Sequence, residues 1–131
     1  MPFIRITALA PALTSDQILR LQQGTTNLMT SVMRKPIEGT SVLVEQIGRG
    51  GWSIAGTAVS IGAQVEATIG LGTNTPDEKA RFMSEMMNLL RDVLGQEPRD
   101  ETYITFHEFN HESYGRGGLT RAERERRRAA A

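Results

Sequence analysis

Hydrophobic and polar positions along this chain alternate, then fall at helical spacing, then alternate again, and the whole series is written twice. Phe3-Ile4-Arg5-Ile6-Thr7-Ala8-Leu9 is β-rich with partial alternation and predicts a strand. Pro11 and Thr14-Ser15-Asp16 then form a loop and a helix start, with Thr14 or Ser15 as the N-cap and Asp16 in the first turn. Ile18, Leu21, Leu28, Val32 and Met33 predict a helix over 16–34, interrupted by the polar stretch Gln22 to Asn27 and weakest at Gly24. Lys35-Pro36 ends it, because a residue before proline disfavours the α region. Residues 40–47 read as a second strand, followed by a turn at Arg49-Gly50-Gly51-Trp52.

The second series runs in the same order. Residues 63–71 alternate as a strand, and Thr75 is placed to cap a helix whose first position is Pro76. Over 76–94, Phe82, Met83, Met86, Met87, Leu90 and Leu94 share one helical face, with Gly95 as C-cap. Residues 103–109 form the last strand, before the turn Ser113-Tyr114-Gly115-Arg116-Gly117-Gly118.

Superposed, the halves pair Thr14-Ser15-Asp16 with Thr75-Pro76-Asp77, Lys35-Pro36 with Glu97-Pro98, and Gly51-Trp52 with Ser113-Tyr114. The offset is about 61 residues early and about 62 later. Repeat one spans about 2–59 and repeat two about 63–119, in a single domain over 2–119, with a basic tail at 120–131. Two strands joined by a helical crossover are expected to be parallel and right-handed. The expected fold is therefore α+β: a tandem β-α-β repeat forming a four-stranded mixed sheet with two helices on one face. The other face then lacks cover within the chain, which predicts an oligomer.

Composition narrows the chemistry. The formal net charge is zero, so nothing points to nucleic acid or a membrane surface as partner. With no cysteine, disulfides and thiolate metal sites are excluded. The two histidines, His107 and His111, have half of a zinc spacing, but the segment alternates like a strand, which would separate the rings by about 13 Å. No metal and no cofactor is expected. The absence of a signal-peptide pattern and of a long apolar run predicts a cytoplasmic protein.

The candidate chemistry lies at the second residue. Met1-Pro2 opens the first strand, and an initiator Met before a small residue is normally removed, which would leave a free secondary amine on Pro2. A free α-amine has a reference pKa of roughly 7.7–8.0. A proline amine starts more basic, and an apolar pocket or a nearby cation lowers it. Neutral near pH 7, such an amine is a general base and can also attack carbonyls.

A tandem βαβ chain of this length begun by Met-Pro resembles the tautomerase superfamily over residues 2–119. Pro2, Ser15-Asp16, Lys35-Pro36, the Val42–Ile47 strand and Gly50-Gly51-Trp52 match in the first unit. In the second, Pro76-Asp77-Glu78-Lys79, Tyr103 to Phe109 and Tyr114-Gly115-Arg116-Gly117 match. The resemblance implies a trimer in which Pro2 is catalytic. Lys35-Pro36 and Tyr103-Ile104 are similar to pairs whose lysine and tyrosine line the pocket in the macrophage migration inhibitory factor branch. Tyr114 aligns with the aromatic that one subunit of the short 4-oxalocrotonate tautomerases lends to another, and Trp52 is its first-repeat counterpart. Tyr114-Gly115-Arg116 is similar to an aromatic-Gly-Arg in the cis-3-chloroacrylic acid dehalogenases and malonate semialdehyde decarboxylases.

The departures matter as much. The substrate arginines of 4-oxalocrotonate tautomerase fall near Ala12–Leu13, at Ser41, at Asn74 and at Tyr103, none of them basic here. The arginine pair of the dehalogenases and decarboxylases falls in Leu71-Gly72-Thr73-Asn74, and the water-activating acid of the dehalogenases at Ser113. The second repeat begins at Ala63, which has no amine, so one proline site per chain is expected.

Each remaining residue has a second reading. Lys35 is a carboxylate ligand or a helix-end cation favoured by the macrodipole. Arg116 faces the pocket or solvent, and Arg5 a pocket or an oligomer contact. Tyr103 polarises a carbonyl or packs across strands. Trp52 reads as a subunit contact, and Arg121 to Arg128 as a solvated helix or frayed tail. The expected function is an isomerase acting on a small keto or enol carboxylate. Pro2 is the base, Lys35 or Arg116 holds the carboxylate, Tyr103 stabilises the enolate, and Phe3 and Tyr114 keep the site dry. The alternatives are proline-dependent hydration, dehalogenation or decarboxylation, and a non-enzymatic trimeric binding protein.

Overall fold

The computed structural model describes residues 2–10 and 12–131, so the loop expected at Pro11 lies outside the described residues. The chain runs β1 (Phe3–Leu9), α1 (Ser15–Ser31), β2 (Ser41–Gln46), β3 (Ser53–Ile54), β4 (Thr57–Ala58), β5 (Gly62–Gly70), α2 (Pro76–Leu94), β6 (Tyr103–Phe109), β7 (Gly115–Arg116), β8 (Leu119–Thr120) and α3 (Arg121–Ala130).

Both long helices start by the same device. The Thr14 side chain accepts from the Gln17 amide while the Gln17 side chain accepts from the Thr14 amide, and Thr75 and Glu78 repeat the arrangement. Each box satisfies two amides that the first turn would otherwise leave without partners. At the far ends the repeats differ. Helix α2 closes on Gly95, left-handed at φ 69°. Helix α1 stops at Ser31, short of the predicted 34. Arg34 then takes the left-handed conformation at φ 57°, and the Lys35 amide donates back to the Met29 carbonyl at 2.9 Å.

The main sheet has the order β2-β1-β5-β6. Strands β1 and β2 are parallel, as are β5 and β6, and β1 and β5 meet antiparallel at the centre. Even-numbered residues of β1 (Ile4, Ile6) and odd-numbered residues of β5 (Val65, Ala67, Ile69) turn to one side, where the apolar faces of α1 and α2 bury them. Leu21, Met29, Phe82, Met86 and Leu90 complete this core, and Phe82 stacks tilted on Phe106 with ring centroids 5.4 Å apart. Equivalent residues of the two repeats meet at the centre. Arg5 is the cross-strand neighbour of Glu66, and the Thr25 hydroxyl donates to the Met86 sulfur at 3.7 Å across 61 residues of sequence. The molecule thus has an internal pseudo-twofold axis between the central strands and between the helices.

Gly24 lies near that axis. A Cβ there would stand 2.7 Å from Leu89 Cδ1, so the glycine is where the two helices approach, and the expected weak centre of α1 is a packing site. The opposite face of the sheet carries Phe3, Leu43 and Phe109, each about two-fifths exposed, with the ion pairs Arg5–Glu45 at 2.9 Å and His107–Glu66 at 3.4 Å. Two short hairpins, β3–β4 and β7–β8, follow β2 and β6.

Candidate active site

Pro2 is buried, and its carbonyl accepts from the Ser41 amide at 3.1 Å as β1 begins. Alternation along β1 puts Pro2 on the helix-facing side with Ile4 and Ile6. The register Phe3↔Thr68 continues to place Pro2 beside Ile69, one residue before the end of β5 at Gly70.

Lys35 arrives at the same end of the sheet. It is only 7% exposed, and its ammonium donates to Thr73 Oγ1 at 2.8 Å, while that hydroxyl donates to the Gly70 carbonyl at 2.7 Å. Burial first, then the charges of Arg121 and Arg34, push its pKa down to about 8, against a weaker pull upward from Glu78 and Glu108. The left-handed Arg34 makes this placement possible by turning the chain back after α1. Its guanidinium forks onto Glu78 at 2.6 and 3.1 Å and reaches the Thr73 carbonyl at 3.1 Å. Asn74 Nδ2 adds a bond to the Met33 carbonyl at 2.9 Å. The end of α1 is therefore clamped to the β5–α2 loop.

A third cation joins them. A Cβ on Gly70 would lie 2.7 Å from Arg121 Nη1 and 3.2 Å from His111 Nε2, so the missing side chain lets both groups lie over the strand end. Arg121 is held by Glu125 at 2.8 Å, and His111 stands 3.2 Å from the Leu71 carbonyl and 3.3 Å from Glu125. The Arg121 amide donates to the Tyr114 carbonyl and the Ala122 amide to the His111 carbonyl, both at 2.8 Å. Tyr114 is half-buried there, its phenol pushed up by burial with Arg121 working the other way. Arg121 belongs to the charged run that reads as a solvated helix or a frayed tail, and the structure has the helix. The available signal was Thr120 followed three residues later by Glu123, which starts a helix: the Thr120 hydroxyl accepts from the Glu123 amide at 3.0 Å.

Arg116 is exposed and borders a cleft of about 440 Å³ between Pro36 and one face of α3. Lys35, Tyr114 and Arg116 thus gather at the end of the sheet where Pro2 lies. Tyr103 does not. It is 66% exposed and pairs with Gln64, which pairs with Thr7, five residues along β1 from Pro2. That offset is about 16 Å along the strands, so within one chain Tyr103 is at the opposite end. Phe3 likewise points to the other face, because alternation separates it from Pro2. Trp52 packs over Gly62, 3.0 Å from an added Cβ, at the far end where the second repeat has Ala63 in place of a proline. His111 lies in a turn beyond the end of β6, so the strand expected to carry both histidines holds only His107. Among the described residues no cluster of three or more His, Asp or Glu could hold a metal ion, and no helix is long and apolar enough to cross a membrane.

Residues 67–124 match the family model described as tautomerase enzyme, from within β5 to the first turn of α3. No curated protein matches the sequence. Among solved structures, Pt0534 inactivated by 2-oxo-3-pentynoate superposes with a TM-score of 0.84 at 15% identity, covering 93% of this chain and 98% of that one. The fused 4-OT F6, an asymmetric trimer, gives 0.81 at 18% identity, with 92% and 97% covered. The macrophage migration inhibitory factor-like protein of Entamoeba histolytica gives 0.75 at 19% identity, with 91% and 97% covered. At these identities the superpositions establish the shared fold.

Proposed function

We propose that this chain belongs to the tautomerase superfamily, whose fold it shares and whose family model its second repeat matches, and that it is an isomerase of small keto and enol carboxylates with Pro2 as its base. The observation that carries this reading is the convergence of buried Pro2 and buried Lys35 on one end of the sheet. An ammonium has three donors, and Lys35 gives one to Thr73, which leaves two for a substrate carboxylate. Burial at the strand end where Lys35 and Arg121 also lie would disfavour the charged form of a free Pro2 amine and leave the nitrogen able to take a proton. In the reaction, Pro2 N removes a proton from one position of the substrate and returns it to a carbon conjugated with the carbonyl. The developing enolate oxygen is held by a hydrogen-bond donor.

The assembly we propose is a homotrimer, with the open sheet face buried between copies. Tyr103, at the opposite end from its own Pro2, then serves the Pro2 of a neighbouring copy as that donor. A reaction through a carboxylate-activated water fits less well, because Ser113 stands where the dehalogenases have their acid.

The test is turnover of phenylenolpyruvate and 2-hydroxymuconate by the mature protein and by Pro2→Ala. A loss of at least about 100-fold in kcat/KM is expected, within the span of a general base. Unchanged turnover, or mass spectrometry finding Met1 still on an active protein, would remove Pro2 from the chemistry and overturn this reading, while no turnover by the mature wild type would leave the non-enzymatic one.

A further inference from the structure

Helix α3 contributes no buried residue, and every position from Glu125 onward is exposed. Hydrophobic burial is therefore not what such a helix adds to the fold. It is nevertheless anchored, by the Thr120 cap and by the two backbone bonds from Arg121 and Ala122 into the preceding turn. What it carries is charge, and that charge is concentrated. Its cleft-facing side presents Arg121, Arg124, Arg127 and Arg128, opposite Arg116 on β7, with Glu125 as the single acid in the lining. The chain as a whole has zero net charge, so the positive field is local to this cleft.

The pairing inside the cleft is incomplete. Arg121 is matched by Glu125 and Arg127 by Glu123. Among the described residues, Arg116, Arg124 and Arg128 have no carboxylate within ion-pair distance. Arg124 spends one donor on the Arg116 carbonyl at 2.9 Å, and its Nε is buried without a partner. A buried guanidinium nitrogen left unpaired is costly, and the planar fork of arginine is matched by the paired oxygens of a carboxylate or phosphate. The cleft volume, about 440 Å³, is that of a small-molecule site. Arg121 links it to the candidate active site, since the same guanidinium lies over Gly70.

We infer that α3 forms a second oxyanion subsite, which holds a carboxylate or phosphate at the far end of the substrate while the reacting carboxylated carbonyl lies at Pro2 and Lys35. This rests on the isomerase reading above and assigns its substrate class: small acids with two separated anionic groups. The occupant is a small molecule, because the arginines line a concavity and are interleaved with Glu123 and Glu125, which would oppose the backbone of a nucleic acid.

The test is binding, independent of turnover. Succinate, inorganic phosphate and acetate are titrated calorimetrically into the mature wild-type protein, into Arg124→Ala/Arg128→Ala and into Pro2→Ala. Wild type is expected to bind succinate or phosphate at least about tenfold more tightly than acetate. The double variant is expected to lose that preference, while Pro2→Ala keeps it. Arg126→Ala, outside the cleft and paired with Glu123, controls for net charge and is expected to bind as wild type. Circular dichroism of each variant checks that the fold survives. If phosphate is the tighter dianion the far group is a phosphate, and if succinate is tighter it is a carboxylate. Equal binding of acetate and both dianions, no binding of either dianion, or binding unaffected by the double variant would overturn the inference. So would a single-stranded oligonucleotide binding through these arginines more tightly than either dianion. If Pro2→Ala remains fully active while the dianion preference holds, the reading of Pro2 as the base fails and the subsite stands.

Discussion

The Lys35 ammonium donates to the Thr73 hydroxyl at 2.8 Å, and that hydroxyl donates onward to the Gly70 carbonyl at 2.7 Å. The relay runs in one direction, so Thr73 can only accept from Lys35. It holds a buried cation at the strand end without a carboxylate in direct contact.

That arrangement makes the site pH-dependent at its alkaline edge. Lys35 has its pKa lowered to about 8 by burial, so above that pH the ammonium is lost. For carboxylate substrates KM is expected to rise through pH 8 in wild type, and Lys35→Met to show a raised KM at pH 7 with no such step. The stability effect has the opposite sense. Between about 8 and the ordinary lysine value of 10.5 the unfolded chain binds the extra proton, so stability rises with pH across that window. The gain is on the order of 2–3 kcal/mol and absent in Lys35→Met, as denaturant titrations at pH 7.5 and 10 would measure. A flat stability profile in wild type would mean that Lys35 is more hydrated than its burial indicates.

Gly70 separates packing from binding. Gly70→Ala is expected to displace the Arg121 guanidinium, the mobile end of a long side chain, and so to change stability by no more than about 1 kcal/mol. A severalfold rise in KM with kcat little altered is the expected kinetic result. A large loss of stability with KM unchanged would place Arg121 among structural residues only.

The proposed trimer makes a prediction for the open sheet face. Leu43, 38% exposed at the centre of β2, is expected to be buried between copies. Leu43→Arg should shift the sedimenting species from three chains toward one and depress turnover with it, because Tyr103 would no longer meet a neighbour's Pro2. A wild-type monomer of full activity would contradict both statements.

The two capping boxes should not be equal. Thr14→Ala and Thr75→Ala each remove one side-chain cap, costing about 1 kcal/mol by the usual range for such caps. The cost should be larger at Thr75, because its partner Glu78 also anchors Arg34 and Asn74 and would be displaced with it. Thermal unfolding of the two variants at neutral pH measures the difference. Equal midpoints would show that the Arg34 clamp holds Glu78 unaided.

The regular half of this architecture was legible because its signals are local. The strands at 3–9 and 103–109 and the helix at 76–94 have the boundaries read from alternation, a Thr-Pro start and a glycine stop. Pro2 and Lys35 were legible as candidates from their position and family pattern. Their placement at one end of the sheet was not, since that of Lys35 depends on a left-handed Arg34 that nothing in its neighbours demands. Gly24 has a second role that helix propensity does not carry: propensity sees only a missing side chain, whereas the crossing of two helices puts Leu89 in its place. The charged run from Arg121 reads as a solvated helix or frayed tail and is indeed a helix with no buried residue, but the position of Arg121 over Gly70 has no apolar stripe to announce it. Its role comes from the turn at His111–Tyr114, whose carbonyls receive the helix start.

A single-unit ancestor would have to accept any substitution at every equivalent position of its assembly at once. In this chain the pseudo-twofold axis at Thr25 and Met86 divides two copies that no longer share a fate. One end of the sheet keeps a proline, a buried lysine and a charged helix, while the other has Ala63, Glu97 and an indole laid over Gly62. Such a chain can tune one pocket residue by residue while the twin end, with no proline of its own, is left to the scaffold and to the Tyr103 it would offer a neighbouring copy.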